Sequence, residues 1–316
     1  MPIDNSRKRE LRVGLALGSG GARGSAHTGV LKVLEREGIE ISAVAGSSIG
    51  SLIGAALAVG LSVDDVEREW LATDVGRVFR GFLPSLHPAG FSSGSELRKL
   101  LKDLLGDVQI EDLQTPYAAV ACDIDTGEPC VLREGSLLDA VRASTAIPGI
   151  FHPVRHGKRL LVDGGLINPV PIDVCRSLGA DLVIAVDVTP RPVKTTSRAH
   201  EIWTRIGQQL QEGLSTQTWL PNSLTELLES AFRERPEEAR PLPGVYSILN
   251  QSISILLQEV LRQKLILDPP EVLIRPELSI SFMSYTQAAE GIDAGEAAAE
   301  RALPEIRRRL EELTAP

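Results

Sequence analysis

A stretch without any charged side chain covers residues 41–63 and constrains the fold more than any other feature of the sequence. Its 23 residues are enough to span a bilayer as a helix. Gly46, Gly50 and Gly54 also have the small-xxx-small spacing of packed membrane helices. However, three serines interrupt its centre, and alanine and glycine outnumber large apolar residues. This composition argues against a transmembrane helix.

The alternative divides the same stretch into a strand, a turn and a helix. Residues 41–45 form a short apolar run that predicts a buried strand. Residues 46–50 are rich in glycine and serine and predict a turn, and the helix predicted from residue 48 ends at Gly60. We favour this interpretation, in which the lack of charge reflects burial in a protein core.

The turn contains a GxSxG pattern, Gly-Ser-Ser-Ile-Gly, at residues 46–50. A serine nucleophile on a sharp strand-to-helix turn needs small residues two positions before and two positions after it, because larger side chains would collide. The pattern therefore predicts Ser48 as a nucleophile, with Gly46 and Gly50 as the glycines of the nucleophile elbow. An ordinary Gly/Ser turn is the alternative.

A glycine-rich loop, Gly-Ser-Gly-Gly-Ala-Arg-Gly, occupies residues 18–24 between a predicted strand (12–17) and a predicted helix (25–37). The third glycine of a dinucleotide fingerprint would fall on Arg23, and no Walker lysine follows, so neither nucleotide site is indicated. The loop still offers unhindered backbone N–H groups at the start of a helix. Such groups suit an anion, including an oxyanion, although a plain turn is the alternative.

The order of predicted elements indicates an α/β fold. Strand, helix, strand and helix alternate over the first sixty residues, as in a right-handed parallel crossover, and residues 180–188 form the clearest buried strand. We predict a three-layer α/β/α sandwich with a mostly parallel central sheet and additional C-terminal helices. A catalytic α/β core is predicted at residues 12–190, and a mainly helical C-terminal extension packed on it at residues 191–316.

A second candidate catalytic residue is Asp163, in the sequence Asp163-Gly164-Gly165 after a predicted strand at 159–162. The two glycines allow the backbone to turn sharply. A carboxylate there is expected at the carboxyl edge of the sheet, where open α/β folds keep their sites. The alternative is an aspartate in a β-turn.

The five histidines give weaker signals. In the Ser-Asp-His order of α/β-hydrolases only His200 follows Asp163, and it falls at a predicted helix start rather than in a loop after a strand. His152 and His156 come closest to a metal-ligand pair, but Pro153 between them favours a loop. We expect no metal and no cofactor.

The three motifs together resemble those of the patatin-like phospholipases. The glycine-rich loop, the GSSIG elbow and the DGG sequence follow one another in that family's order, and the likeness runs from about residue 15 to residue 178. Similar stretches are also found at residues 143–148, 151–154 and 168–171. The chain looks most like the compact bacterial members that lack extra regulatory domains. It departs at Ser19, where the family's loop often has a further glycine.

This resemblance implies a serine acyl hydrolase of lipids, a phospholipase- or lysophospholipase-type esterase that works through an acyl-enzyme. It implies a dyad without histidine, in which Ser48 attacks the ester and Asp163 takes its proton. Backbone N–H groups around Gly20 and Gly21 are implied to hold the oxyanion, with Arg23 ordering that loop or adding positive charge. A thioesterase or acyltransferase with the same dyad, a hydrolase with a histidine base, and a non-catalytic regulatory protein that keeps the fold remain open.

Composition and charge limit the partners and the location. Apolar residues make up 43% of the chain, as in globular proteins, and the net charge of −9 argues against a nucleic-acid partner. Three cysteines without CxxC spacing, and a first segment without the apolar core of a signal peptide, favour a cytoplasmic location.

An apolar stripe on the predicted helix at residues 246–267 bears on contact with lipid. We expect a core helix packed on the sheet. The alternative is transient docking on a membrane surface, which would make the protein peripheral to the membrane. The expected partner is a lipid ester substrate, and the sequence leaves oligomerisation open.

Overall fold

The computed structural model describes residues 11–73, 92–191 and 245–314. Within these ranges the chain forms eight strands and eight α-helices. The strands are β1 (Val13–Leu17), β2 (Ala43–Ser47), β3 (Tyr117–Asp123), β4 (Pro129–Leu132), β5 (Val154–His156), β6 (Arg159–Asp163), β7 (Leu182–Val186) and β8 (Val272–Ile274). The helices are α1 (Ser25–Arg36), α2 (Ile49–Ala58), α3 (Val63–Leu71), α4 (Ser95–Leu105), α5 (Leu137–Ser144), α6 (Ile172–Ser177), α7 (Val245–Leu267) and α8 (Ala288–Thr314).

All eight strands belong to one mixed sheet in the order β5-β6-β3-β2-β1-β7-β8, with β4 also paired to β3. The pairs β1–β2, β1–β7, β2–β3 and β7–β8 are parallel. The pairs β3–β4, β3–β6 and β5–β6 are antiparallel. The centre of the sheet is therefore parallel, and the antiparallel strands lie on one side of it.

Alternating side chains of the central strands fill two cores, one on each face of the sheet. Leu15, Leu17 and Val44 belong to one core together with apolar residues of α1, α2, α3 and α8. Ala16 and Ala45 belong to the other core with apolar residues of α6 and α7. This alternation follows from the period of two in a β-strand. The predicted three-layer α/β/α sandwich with a mostly parallel sheet is confirmed.

Helices α1 and α8 pack backbone against backbone because glycines line their contact. A β-carbon built at Gly29 would lie 2.0 Å from the Ile292 carbonyl oxygen, and one built at Gly295 would lie 2.1 Å from the Ala26 carbonyl oxygen. Neither position has room for a side chain. The helix that follows the glycine-rich loop is thus fixed by a helix from the end of the described chain.

The uncharged stretch at residues 41–63 is the strand, turn and helix that we favoured, because it supplies β2 and α2. Within the described ranges, no helix is both long enough and apolar enough to cross a membrane. On α7, Leu257 and Leu261 are buried, whereas Leu256, Ile266 and Leu267 are exposed. This helix therefore contributes to the core on one side and presents apolar side chains on another.

The chain divides into two compact units, Met1–Pro190 with Leu256–Pro316, and Arg191–Ile255. Strand β8 and helix α8 belong to the first of these units. The predicted boundary between residues 190 and 191 stays a prediction.

Candidate active site

Ser48 occupies the sharp turn between β2 and α2. Its backbone has φ 54° and ψ −124°, and it is the one non-glycine residue with positive φ in the described part of the chain. A residue with a β-carbon adopts positive φ only at a cost, and such strain is typical of functional sites. The turn places the Ser48 side chain at the end of the strand and at the first turn of the helix.

The two elbow glycines are required by space. A β-carbon at Gly46 would lie 2.4 Å from the carbonyl carbon and oxygen of Gly50, and one at Gly50 would lie 2.2 Å from the Leu17 carbonyl oxygen. Backbone atoms cannot move aside as flexible side chains do. The GxSxG spacing therefore corresponds to two close backbone approaches around Ser48.

The structure brings Ser48 and Asp163 together. The Ser48 hydroxyl donates a hydrogen bond of 2.6 Å to Asp163 Oδ2, and the Gly165 N–H donates one of 2.8 Å to Asp163 Oδ1. Both side chains are buried. A β-carbon at Gly164 would lie 2.0 Å from the Val120 carbonyl oxygen, so the Asp-Gly-Gly turn packs directly against β3.

The strand that carries Asp163 runs in a direction that the sequence did not reveal. Strand β6 is antiparallel to β3, and Asp163 pairs with Ala121, while Ser47 pairs with Val120 on the other side of β3. Asp163 is thus level with the carboxyl end of β2, although its own strand runs the other way. The hydrogen bond between Ser48 and Asp163 therefore reaches across the width of β3.

Burial changes the acidity of Asp163. Removal from water raises its pKa from 3.8 to about 6, although the hydrogen bonds from Ser48 and from the Gly165 N–H act in the opposite direction. Burial disfavours the charged form of a carboxyl group, and here it outweighs both hydrogen bonds. A carboxylate with a pKa of about 6 is still ionised at neutral pH and is a stronger base than an ordinary aspartate.

Ser144, at the end of α5, supports the elbow from a third element. Its hydroxyl accepts a hydrogen bond of 2.9 Å from the Ser48 N–H and donates one of 2.6 Å to the Val120 carbonyl oxygen. The Ser48 amide is therefore occupied. No motif indicates a role for Ser144, although this residue lies in the stretch at residues 143–148 that is similar to the patatin-like phospholipases.

Two backbone N–H groups of the glycine-rich loop have no acceptor in the part of the chain that the structure describes. Gly18 donates to the Val186 carbonyl oxygen, Ser19 to that of Pro169, and Ala22 to that of Phe282. Among the described residues, the N–H groups of Gly20 and Gly21 have no hydrogen-bond partner. Since both lie at the start of the 3-10 turn that leads into α1, they are donors available to an anion.

The side chain of Arg23 binds backbone carbonyl groups. Its guanidinium is buried and donates to the carbonyl oxygens of Val188, Ile280 and Leu278 at 2.9, 3.1 and 3.3 Å. These bonds connect the glycine-rich loop to the chain that follows β7 and to the segment between β8 and α8. This geometry favours the loop-ordering role, and contact between Arg23 and an oxyanion stays a prediction.

The histidines that the structure describes occupy other positions in the fold. The Nε2 atom of His27 lies 2.8 Å from the Gly18 carbonyl oxygen, and burial lowers its pKa to about 4. A neutral imidazole can donate from Nε2, so His27 holds the glycine-rich loop. His152 and His156 fall in and beside β5, and no group of three His, Cys, Asp or Glu side chains in the described ranges could hold a metal ion. His200 lies outside the described residues.

A segment before α8 lies near Asp163, which the sequence did not indicate. The pKa of Tyr285 is raised by burial and, secondarily, by the charge of Asp163. The Tyr285 ring stacks on Trp70 of α3 with 6.2 Å between ring centroids. No motif marks either aromatic residue, because the contact joins distant parts of the chain.

Comparisons with known proteins agree with these motifs. The family model described as patatin-like phospholipase matches residues 15–176. An uncharacterized NTE family protein of Mycobacterium tuberculosis is 32% identical over 332 residues, which cover 92% of this chain and 91% of that protein.

Two larger relatives match over a shorter region. Patatin-like phospholipase domain-containing protein 6 of Homo sapiens is 42% identical, and Neuropathy target esterase sws of Drosophila melanogaster is 40% identical. Each match extends over 182 residues, 56% of this chain but 13% of the relative. With the family model and the full-length relative in agreement, the chain belongs to the patatin-like phospholipase family.

Proposed function

We propose that this protein is a serine acyl hydrolase of lipid esters that uses Ser48 as nucleophile and Asp163 as base. The observation that carries the proposal is the 2.6 Å hydrogen bond from the Ser48 hydroxyl to Asp163 Oδ2, at a strained elbow. A nucleophile within hydrogen-bond reach of its base is the arrangement that covalent catalysis requires. Family membership supports lipid ester hydrolysis in general.

In the acylation step, Ser48 Oγ attacks the ester carbonyl carbon while its proton passes to Asp163 Oδ2. The carbonyl oxygen becomes an oxyanion, for which the free N–H groups of Gly20 and Gly21 are the proposed donors. Loss of one such donor typically raises a barrier by about 2.7–4 kcal/mol. When the tetrahedral intermediate collapses, the alcohol leaves with the proton held by Asp163, and Ser48 carries the acyl group.

In the deacylation step, Asp163 acts as base again. It takes a proton from a water molecule, the resulting hydroxide attacks the acyl carbon, and Ser48 Oγ leaves and recovers the proton. The products are a free fatty acid and the regenerated dyad. Burial supports both steps, because a carboxyl group with a pKa of about 6 can accept and release a proton near neutral pH.

The test is hydrolysis of a panel of esters that differ in chain length and head group. Ser48→Ala should abolish turnover while the protein stays folded, because the nucleophile is lost. Ser47→Ala is the matched control, since Ser47 is also buried on the same turn but donates to the Asn168 carbonyl oxygen. Full activity in Ser48→Ala would refute the proposal.

Three alternatives give different results in such assays. A thioesterase or acyltransferase would keep the dyad and change the substrate or the acceptor, so thioesters and added alcohols belong in the panel. A hydrolase with a histidine base would lose most activity in His200→Ala, whereas the dyad predicts full activity there. A non-catalytic protein would turn over none of these substrates.

Contact with a membrane surface is a separate part of the proposal. Its support is the set of exposed apolar side chains on α7, which are Leu256 in the middle of the helix and Ile266 and Leu267 at its end. Flotation with liposomes of zwitterionic and of anionic lipid would test it. Absence of binding at every lipid composition would exclude docking, while leaving hydrolysis of dispersed lipid esters intact.

A further inference from the structure

The hydroxyl of Ser19 is buried and has no hydrogen-bond partner among the residues that the structure describes. Ser19 belongs to the glycine-rich loop and is 4% exposed, and its Oγ is one of a few buried polar side-chain atoms left unpaired in the described ranges. A buried hydroxyl without a partner destabilises a protein, because it has lost its bonds to water. A buried polar atom without a partner therefore calls for an explanation, such as a role in catalysis.

The position of this hydroxyl is close to the proposed base. A β-carbon built at Gly165 would lie 2.7 Å from Ser19 Oγ and 3.0 Å from Asp163 Oδ1. Both oxygens therefore border the same face of Gly165. The Ser19 backbone is held there by the bond from its N–H to the Pro169 carbonyl oxygen, at 2.8 Å.

The two groups are chemically complementary. An ionised carboxylate has about four lone-pair sites, and Asp163 accepts from the Ser48 hydroxyl on Oδ2 and from the Gly165 N–H on Oδ1. It is buried with acceptor capacity unused, beside a hydroxyl with a proton to donate. Rotation of a serine side chain between staggered positions redirects its hydroxyl without moving the backbone.

We propose that Ser19 is a positioning residue for the base, whose hydroxyl donates to Asp163 Oδ1 when this carboxylate is ionised. This bond would stabilise the charged form and would keep Oδ2 directed at Ser48. When Asp163 takes the proton of Ser48, the Ser19 hydroxyl is released. The inference rests on the proposed function, since it assigns Ser19 a role toward the base of that mechanism.

The test is the pH dependence of kcat/KM for a soluble ester between pH 4.5 and 8.5, in wild type, Ser19→Ala and Ser19→Gly. Removal of a donor to the ionised form should raise the pKa of Asp163, so the acidic limb should move up by about 0.5–1 pH unit. The loss in kcat/KM should be three- to tenfold at acidic pH and much smaller above the shifted limb. Thr28→Val is the matched control, because Thr28 on α1 also has a buried, unpaired hydroxyl.

Other titrating groups near Asp163 do not obscure this limb. Burial raises the pKa of Tyr285 and of Cys122, and the charge of Asp163 adds to both shifts, which places both groups further above the acidic range. His27 is held neutral, since its pKa of about 4 lies below the range of the assay.

An acidic limb that coincides with that of wild type in both Ser19 variants would overturn the inference, as would an equal shift in Thr28→Val. A fall in kcat/KM that is the same at every pH would also overturn it, because a purely structural role has no pH signature. Ser48→Ala separates a failure of the proposed function from a failure of the role of Ser19. If Ser48→Ala stays active, the proposed function fails, whereas an inactive Ser48→Ala with unshifted Ser19 variants refutes the role of Ser19 alone.

Discussion

Replacement of Asp163 by asparagine is expected to remove the activity and, at neutral pH, to stabilise the fold. The isosteric amide keeps the contacts of the carboxylate, because its oxygen can accept from the Gly165 N–H and its NH₂ group can donate to Ser48 Oγ. It cannot take a proton from Ser48. Loss of a general base typically lowers the rate by about 10²–10⁴-fold.

The gain in stability follows from the raised pKa of Asp163. Burial raises this pKa from 3.8 to about 6, and one pKa unit corresponds to about 1.4 kcal/mol. Below pH 3.8 the carboxyl group is neutral in both the folded and the unfolded chain, so it carries no penalty. Between pH 3.8 and about 6 the unfolded chain ionises this group while the folded protein keeps it neutral, so the free energy of unfolding falls by about 3 kcal/mol over this interval and stays at the lower value above it. Asparagine does not titrate and avoids this loss.

The measurement is urea unfolding of wild type and Asp163→Asn at pH 4, 6 and 8. The difference in free energy of unfolding should be small at pH 4 and should rise to about 3 kcal/mol in favour of the variant at pH 8. Asp123→Asn serves as control. Asp123 is also buried, but its carboxylate accepts from the Asp125 N–H and lies 3.9 Å from Arg159, so its loss should not stabilise the protein.

A difference between wild type and Asp163→Asn that stays constant from pH 4 to pH 8 would refute the reasoning. It would mean that the folded state does not resist ionisation of Asp163. A variant less stable than wild type at pH 8 would refute it as well, because the amide would then fit the site worse than the charged group does.

Three further substitutions test the packing around the site. Gly50→Ala should lower the free energy of unfolding by about 1–3 kcal/mol and abolish hydrolysis, since its β-carbon would collide with the last carbonyl of β1. Unchanged urea unfolding would show that the turn has room for a side chain at position 50. Arg23→Lys should lower Tm relative to the exposed control Arg36→Lys, because an ammonium group cannot replace the fork that binds three carbonyl groups. Equal Tm values would contradict this. Gly295→Leu should separate α1 from α8 and lower both Tm and activity, and retained activity would disprove that α8 supports the glycine-rich loop.

The strand–elbow–helix and the turn after β6 could be predicted because their signals are local, whereas the pairing of Ser48 with Asp163 was implied by the resemblance to the patatin-like phospholipases. A GxSxG between an apolar run and a helix, and an Asp-Gly-Gly after a strand, each describe a short piece of backbone. The bounds of β2 were less accurate. The strand was predicted at 41–45 but lies at Ala43–Ser47, because Gly46 and Ser47 pair with β1 and β3 despite their preference for turns.

Features that depend on distant contacts could not be predicted. The reversed direction of β6 follows from its pairing with β3. The loop that Pro153 favours between His152 and His156 instead contains β5, a short strand that pairs with β6. The carbonyl partners of Arg23 come from residues more than 160 positions away. The contacts of Tyr285 and of Ser144 could not be predicted for the same reason. Both join distant parts of the chain, and no sequence motif indicates their partners.

The glycine contact between α1 and α8 has a consequence for how the protein folds during its synthesis. Helix α1 leaves the ribosome before the helix that covers it, which is encoded more than 250 residues later. Until α8 is synthesised, α1 keeps an apolar face without its partner, and the glycine-rich loop ahead of it lacks its support. Contacts between such distant segments form slowly, and exposed apolar surface promotes aggregation in the interval. The glycine-rich loop can therefore become rigid only after α8 has been synthesised, so a nascent chain lacking α8 should not hydrolyse esters.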